Sequence, residues 1–481
     1  MSETPLNPTA DPDAVAETPA PHHGAPKGDL TQGPILKTLI AFTIPTLISN
    51  LLQTLNGTIN SIWVGRLLGE SALAATANAN VVMFLMFTAV FGFGMATTVR
   101  VGVFFGAREI DKARRCAGTG LGFCTALAMS VGLLGWCFAV PLLHALSTPE
   151  ASRAEALAYL RVIFVTLPLS TISLQVSMGM RGTGDARTPL HAMILTVALD
   201  IILNPLLIHG LGPVPALGIA GSALATAIAN FAGSAMMIWK IYAKDMPLRL
   251  RGRELAYLIP RKAELTYVLA KGLPMGAQML LLSSAGVIMI SLVNREGLDA
   301  SAAYGASLQL WNYLQMPAFA LSSAVSAMVA QNVGAGNHAR VGRITATGVA
   351  SNFALTGSFG LLILVFSRPL LVLFLGPQSA AVPLAQHIQL ICTGSFVLTG
   401  IMVILNGTMR AYGAVMVPLG IMGIAMYPAR LGFYWLAYPH IGAEAVWWTY
   451  PAGSIVAVGL TVLAYTRGGW RKRRHLAVPK G

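Results

Sequence analysis

Asp200 is the one carboxylate inside any long apolar run of this chain, in TVALDIILNPLLI, and Asn204 follows it by four residues. A charge at that depth costs about 2.5–3.5 kcal/mol even on the lenient insertion scale, so a task is the default expectation for an acid kept there. Proton exchange and binding of a small cation are two such tasks. Pairing with a neighbouring donor for packing alone is a third reading. An apolar surrounding disfavours the anion, donated hydrogen bonds favour it, and a buried acid is switchable between the two.

Amides recur at helical spacing elsewhere. Asn50, Gln53, Asn56 or Gly57, and Asn60 fall at i, i+3, i+6/7 and i+10, on one side of a helix. A stripe of amides cannot face lipid, so it faces protein or water. Gln309, Asn312 and Gln315 repeat the pattern near Trp311 and Tyr313. Gln278, Ser283 and Ser284 precede them, and Asn406 and Thr408 follow. Interhelical hydrogen bonding explains any one of these as well as a binding site does. Their concentration points to a polar-lined cavity.

Such residues need an apolar scaffold. The chain has 481 residues, 55% hydrophobic and 10% charged, with a mean hydropathy of +0.66. Twelve nearly charge-free runs read as membrane-spanning helices, at 37–60, 72–98, 118–143, 157–180, 190–210, 217–239, 266–293, 302–330, 346–366, 385–409, 416–438 and 445–465.

A net charge of +14 would suit nucleic acid, but the cations collect in alternate loops. Arg108 to Arg115, Arg181 and Arg187, Lys240 to Lys262, Arg340 and Arg343, Arg410, and Arg467 to Arg474 mark one side. By the positive-inside rule both termini are predicted to be cytoplasmic. Residues 1–33, rich in Pro, Ala and His, read as a disordered tail rather than a signal peptide. Cys116, Cys124, Cys137 and Cys392 form no CxxC pair, so neither disulfide nor zinc is expected. There is no GxxxxGK[ST] loop for ATP. Gly92, Gly94, Gly118, Gly120 and Gly122 are expected to let helices approach closely.

The chain repeats itself at an offset of 228 or 229. Pro45 meets Pro274, FFGAREIDKARRCAGTG (104–120) lies over NVGAGNHARVGRITATG (332–348), and RGTGDARTPL (181–190) lies over RAYGAVMVPL (410–419). Two six-helix halves follow, 34–240 and 266–466, joined by a basic loop at 241–265 and followed by a basic tail at 467–481. With an even number of spans each, the halves share one orientation, an arrangement commonest in transporters.

The segments RGTGDARTP (181–189), DIILNP (200–205) and GIAGSALAT (218–226) resemble the central signature of the multidrug and toxic compound extrusion transporters. Pro45, Pro274 and VAQNVGAG (329–336) add to the resemblance, which covers 34–465. It implies a V-shaped pair of six-helix bundles, alternating access, and export of bulky organic cations in exchange for protons or sodium. Many prokaryotic members place an aspartate in the first helix, where INSIWVG (59–65) carries Asn60. Two fifth-helix positions four apart, often Asn then Asp, read Asp200 then Asn204, a shift of the charge by one turn. Thr226 matches another polar position of that cluster. Ser283 and Ser284 stand where some members carry a glutamate, and the repeat partner of Asp200 is Ala429.

The expectation is an all-α integral membrane protein, twelve transmembrane helices in two pseudo-symmetric lobes around a central cavity, placed in the bacterial inner membrane as a monomer and not an enzyme. Asp200 would bind the coupling ion, with Asn204, Asn60 and Thr226 orienting it. Gln53, Asn56, Gln278, Ser283, Gln309, Asn312 and Asn406 would line the cavity, and Pro45 would let the first helix bend. H+ or Na+ replaces any cofactor, and protons are favoured because a single formal charge compensates poorly for a cation's lost hydration. The expected partners are small organic cations and lipid. The alternative, a flippase for a lipid-linked or glycan substrate, calls for several cations around a phosphate, and only Arg430, Arg161 and Arg100 lie in or beside the helical cores. A receptor or scaffold would need a soluble signalling domain, and none is recognisable.

Overall fold

A computed structural model describes residues 28–145, 150–210 and 215–471, and these form helices and turns with no strand among them. The first half comprises α1 (Ile35–Leu68), α2 (Glu70–Gly106), α3 (Ile110–Cys137), α4 (Ala139–Ala145), α5 (Glu150–Gly182), α6 (Arg187–His209) and α7 (Gly218–Ala243). The second comprises α8 (Lys262–Arg295), α9 (Leu298–Gly334), α10 (His338–Val365), α11 (Ser367–Leu375), α12 (Ala381–Ala411), α13 (Met416–Ile424), α14 (Arg430–Ile441) and α15 (Glu444–Arg467). Among the described residues twelve spans are long and apolar enough to cross a membrane, with α13 and α14 sharing one through a π-helical turn at Ala425–Ala429.

Several helices outrun their apolar runs. α3, for example, begins among Asp111, Lys112, Arg114 and Arg115, because backbone hydrogen bonding continues where hydrocarbon ends. The run 118–143, read as one span, breaks at Phe138 between α3 and α4, two residues short of Val140-Pro141. Proline disfavours helical backbone in the residue before it and is tolerated only in a helix's first turn, so a new helix starts there. Pro369 does the same between α10 and α11.

The repeat is structural: α1 and α8 have 34 residues each, α2 and α9 have 37, and α3 and α10 have 28. Within the first half α5 packs on α2, α3 and α7, and α6 on α1 and α7. In the second, α12 packs on α9, α10 and α15. The halves meet where α1 and α2 cross α8 and α9. Small residues permit this crossing. Gly92 lies on the backbone of Gly272 and Gly276, Gly106 on that of Gln331, and Gly334 on that of Val103, so a Cβ at any of them would strike main chain.

Gly118 and Gly122 differ from expectation. They make room for Tyr257 and Leu258 of the connecting segment, while Gly120 faces Thr97 of α2. That segment holds a 3₁₀ helix at Gly252–Leu258 and is fastened to α3 by Arg114, which bonds Glu254 at 2.7 Å and the Pro247 carbonyl at 2.8 Å.

Candidate functional site

Asp200 sits midway along α6, 1% exposed, where α1 and α7 flank that helix. Thr226 of α7 donates its hydroxyl to Asp200 Oδ1 at 2.9 Å. Asn204, one turn along α6, donates to the same oxygen at 3.2 Å, as i, i+4 spacing allows. Asn56 of α1 faces the carboxylate. Three helices therefore converge on one acid.

Asn60 was expected in this group and stands beside it. It accepts from Ser222 Oγ at 2.7 Å and faces Tyr159 of α5. Asn56, assigned to the cavity from sequence, takes its place. Ser222 was legible in principle, because it precedes Thr226 by four residues on the same side of α7. Tyr159 carries no local signal. The amide oxygens of Asn56 and Asn204 are buried without a donor, so a carboxylate and two carbonyl oxygens stand together, chemistry that suits a hard cation.

A cavity of about 260 Å³ lies within the first half. Asn50 and Gln53 of α1, Ser173 and Ser177 of α5 and Asn230 of α7 supply polar groups, and Met83, Met86, Phe87, Met193 and Met237 supply apolar ones. Flexible thioethers suit a surface that accepts varied shapes. Thr196 is in the wall and Asp200, one turn further along α6, is not. The charged side chain in the lining is Arg181. Its lining thus carries a guanidinium and not the acid, so it does not by itself select the organic cations that the resemblance implies.

The remaining candidates are scattered. Gln278 donates to the Val415 carbonyl at 3.4 Å, and Ser283 bonds back to Met279 of its own helix at 2.9 Å. Asn406 is buried on α12. Gln309 and Asn312 are exposed on α9 in line with Gly305, as are Gln53, Gly57 and Ser61 on α1. Amide stripes do not face lipid, so these sides of α1 and α9 are expected to meet water or protein. Pro45 is buried in α1, which runs through it unbroken.

At the opposite end, where the basic loops collect, the halves are closed. Residues 28–33, read as part of a disordered tail, form a strap between them; residues 1–27 lie outside the described residues. Gln331 of α9 accepts from Leu30 N at 2.8 Å and donates to Gly28 O at 3.3 Å and Gly182 O at 3.1 Å. Asn332 donates to Leu30 O at 3.2 Å. Arg108 of the first half bonds Asp29 at 2.7 Å, and Arg340 of the second bonds Gly33 O at 2.6 Å. The basic tail begins equally anchored, with Trp470 buried against Tyr412 and Tyr465, while residues 472–481 lie outside the described residues.

The three cations weighed for a phosphate-carrying substrate are engaged within the protein. Arg430 lies 3.9 Å over the Tyr450 ring, Arg161 5.3 Å over Trp136, and Arg100 4.3 Å over Tyr267 with Glu264 at 3.8 Å. None lines the cavity.

The profile of the MatE family matches residues 45–206 and 274–436, one match per half. The chain is similar to the probable multidrug resistance protein YoeA of Bacillus subtilis (strain 168), 31% identical over 442 residues, covering 92% of this chain and 95% of that one. The probable multidrug resistance protein YpnP of the same organism is 28% identical over 446 residues, covering 92% and 97%. Among solved structures, one described as the outward-facing conformation of a multidrug resistance MATE family transporter superposes with a TM-score of 0.85 at 21% identity, covering 93% of this chain and 100% of that one. At that identity it speaks for the fold alone.

Proposed function

The chain belongs to the MatE family of multi-pass membrane transporters, and on that premise we propose that it exports amphipathic organic molecules by alternating access, driven by proton entry at Asp200. One observation carries this reading: a carboxylate buried at the junction of α1, α6 and α7, hydrogen-bonded from α6 and α7 and faced by Asn56 of α1. α1 links the acid to everything that must move. Asn56 faces Asp200, Asn50 and Gln53 line the cavity, and Leu39 and Phe42 pack in the core shared with α9. A proton on Asp200 removes the anion to which Thr226 and Asn204 donate and which Asn56 faces, freeing α1 to shift against α6 and α7. Cationic amphipaths fit this scheme when that shift opens the acid to the cavity. Neutral ones fit the cavity as it stands.

Sodium is the second reading, favoured by the two donorless amide oxygens beside the acid. Efflux of a cationic and a neutral dye from inverted vesicles, under a proton gradient and separately a sodium gradient, tests both. Protons alone are expected to drive it, sodium alone would replace the coupling ion, and no efflux under either would overturn the exporter reading.

The basic end is proposed to face the cytoplasm of a bacterial inner membrane. Asp299→Cys should then react with an impermeant thiol reagent in intact cells and Arg253→Cys should not. The reverse pattern would invert the topology.

A further inference from the structure

A second cavity, of about 510 Å³, opens at the basic end between α1, the α5–α6 turn and the last turn of α7, with the strap as one wall. Its floor is apolar, made of Leu30, Ala41, Phe42, Ala186 and Met246. Its rim is cationic: Arg187, His191, Lys240 and Lys244. Neither Arg187, Lys240 nor Lys244 has a carboxylate partner among the described residues. The acids nearby are occupied. Asp185 accepts from the Arg187 and Thr188 amides at 2.9 and 3.0 Å and from the Thr188 hydroxyl at 2.7 Å. Asp29 is bonded to Arg108, and Asp245 to Arg249 at 2.6 Å.

The place is an interfacial one. Trp239, 68% exposed, and Tyr242 flank the two lysines on α7, as aromatic residues do at the headgroup level of a bilayer. Ile194 continues the side of α6 that carries Arg187 and His191, and Ile44 lies one turn beyond Ala41 on α1, both exposed. A cationic rim over an apolar floor, leading to exposed aliphatic side chains, matches a molecule with a phosphate at one end and hydrocarbon at the other.

We propose that this cavity binds the headgroup of an anionic phospholipid, its phosphate held by Arg187, Lys240 and Lys244 and its glycerol region seated on Leu30 and Phe42. Because Leu30 belongs to the strap that clasps both halves, the bound lipid stabilises closure at this end.

Native mass spectrometry of the full-length transporter from micelles containing equal phosphatidylglycerol and phosphatidylcholine tests this without requiring transport, so its failure is distinguishable from failure of the exporter reading. The wild type is expected to retain phosphatidylglycerol selectively. The triple variant Arg187→Gln, Lys240→Gln, Lys244→Gln should lose that preference on the order of a hundredfold, each cation near an anionic surface contributing roughly fivefold. Lys244→Gln alone, an exposed change that leaves packing intact, should lose part of it. Neutralising Arg251, Arg253 and Arg261 in the connecting segment should leave it unchanged. Equal loss in that control, unchanged retention in the triple variant, or inorganic phosphate displacing the retained lipid would each overturn the assignment.

Discussion

α6 and its repeat partner, the span Met416–Ile441, began as the same helix and now hold opposite charges. α6 is continuous through Asp200. Its partner contains a π-helical turn at Ala425–Ala429, which fits one extra residue into the helix. Sequence alignment pairs Asp200 with Ala429. The extra residue advances the register by one, so Arg430, 8% exposed, takes the inward position. Each charge faces the last helix of its half, Asp200 toward Thr226 and Arg430 toward Tyr450 and Gly453. The surroundings differ accordingly: amides and hydroxyls around the acid, and Tyr304, Trp311, Phe396 and Tyr450 in one aromatic cluster beside the cation. A carboxylate can shed its charge by taking a proton, and a guanidinium cannot. The duplication kept the frame, and one π-helical turn decided which charge each half holds.

Asp200→Asn is the severest test of that asymmetry. It keeps the shape and removes the titratable group, so gradient-driven efflux should fall to background while the protein still elutes as a folded species. Full proton-driven efflux by this variant would move coupling out of the first half.

Gln331→Ala tests whether the halves behave as two bodies clasped at one end. It removes three hydrogen bonds around the strap, each contributing about 0.5–1.5 kcal/mol, so the closed-to-open ratio there should fall roughly tenfold or more. Alkylation of Thr183→Cys, a position buried under Gly28, reads this out, and an unchanged rate would mean that the strap does not hold the closure.

Arg430→Met asks whether the second-half charge is support alone. The change forfeits a desolvated cation–π contact of about 2 kcal/mol but also relieves an unpaired buried charge, so a small shift in melting temperature with efflux retained is expected. Loss of efflux at unchanged stability would make both halves participants.

Asn60→Asp should have the smallest effect. Ser222 and Tyr159 already face that side chain and can donate to a carboxylate, so efflux should persist. Its loss would tie Asn60 to the acid more tightly than their separate hydrogen-bond partners imply.

Much of this was legible from residue order. The spans, the repeat and Asp200 stand out because hydropathy and helical spacing are local properties. The structure brings Asn204 and Thr226 to the acid, the first legible from one-turn spacing and the second through the family signature. Asn56 stands at the acid in the place expected of Asn60, which meets Ser222 instead, because both lie on one stripe of α1, and which of them reaches α6 depends on the rotation and depth of α1 against its neighbours.

By itself, then, the sequence determined a twelve-span membrane protein, built twice over, with one carboxylate buried in its first half. Only the tertiary structure decided that Arg430 occupies the place of that acid in the second half, that Thr196 separates Asp200 from the cavity, and that residues 28–33 strap the halves together. Hydrophobic pattern specifies which segments leave water, since burial responds to composition. It does not specify azimuth, and a one-residue π-turn rotates everything beyond it by about 100° without altering the pattern that placed the helix in the membrane.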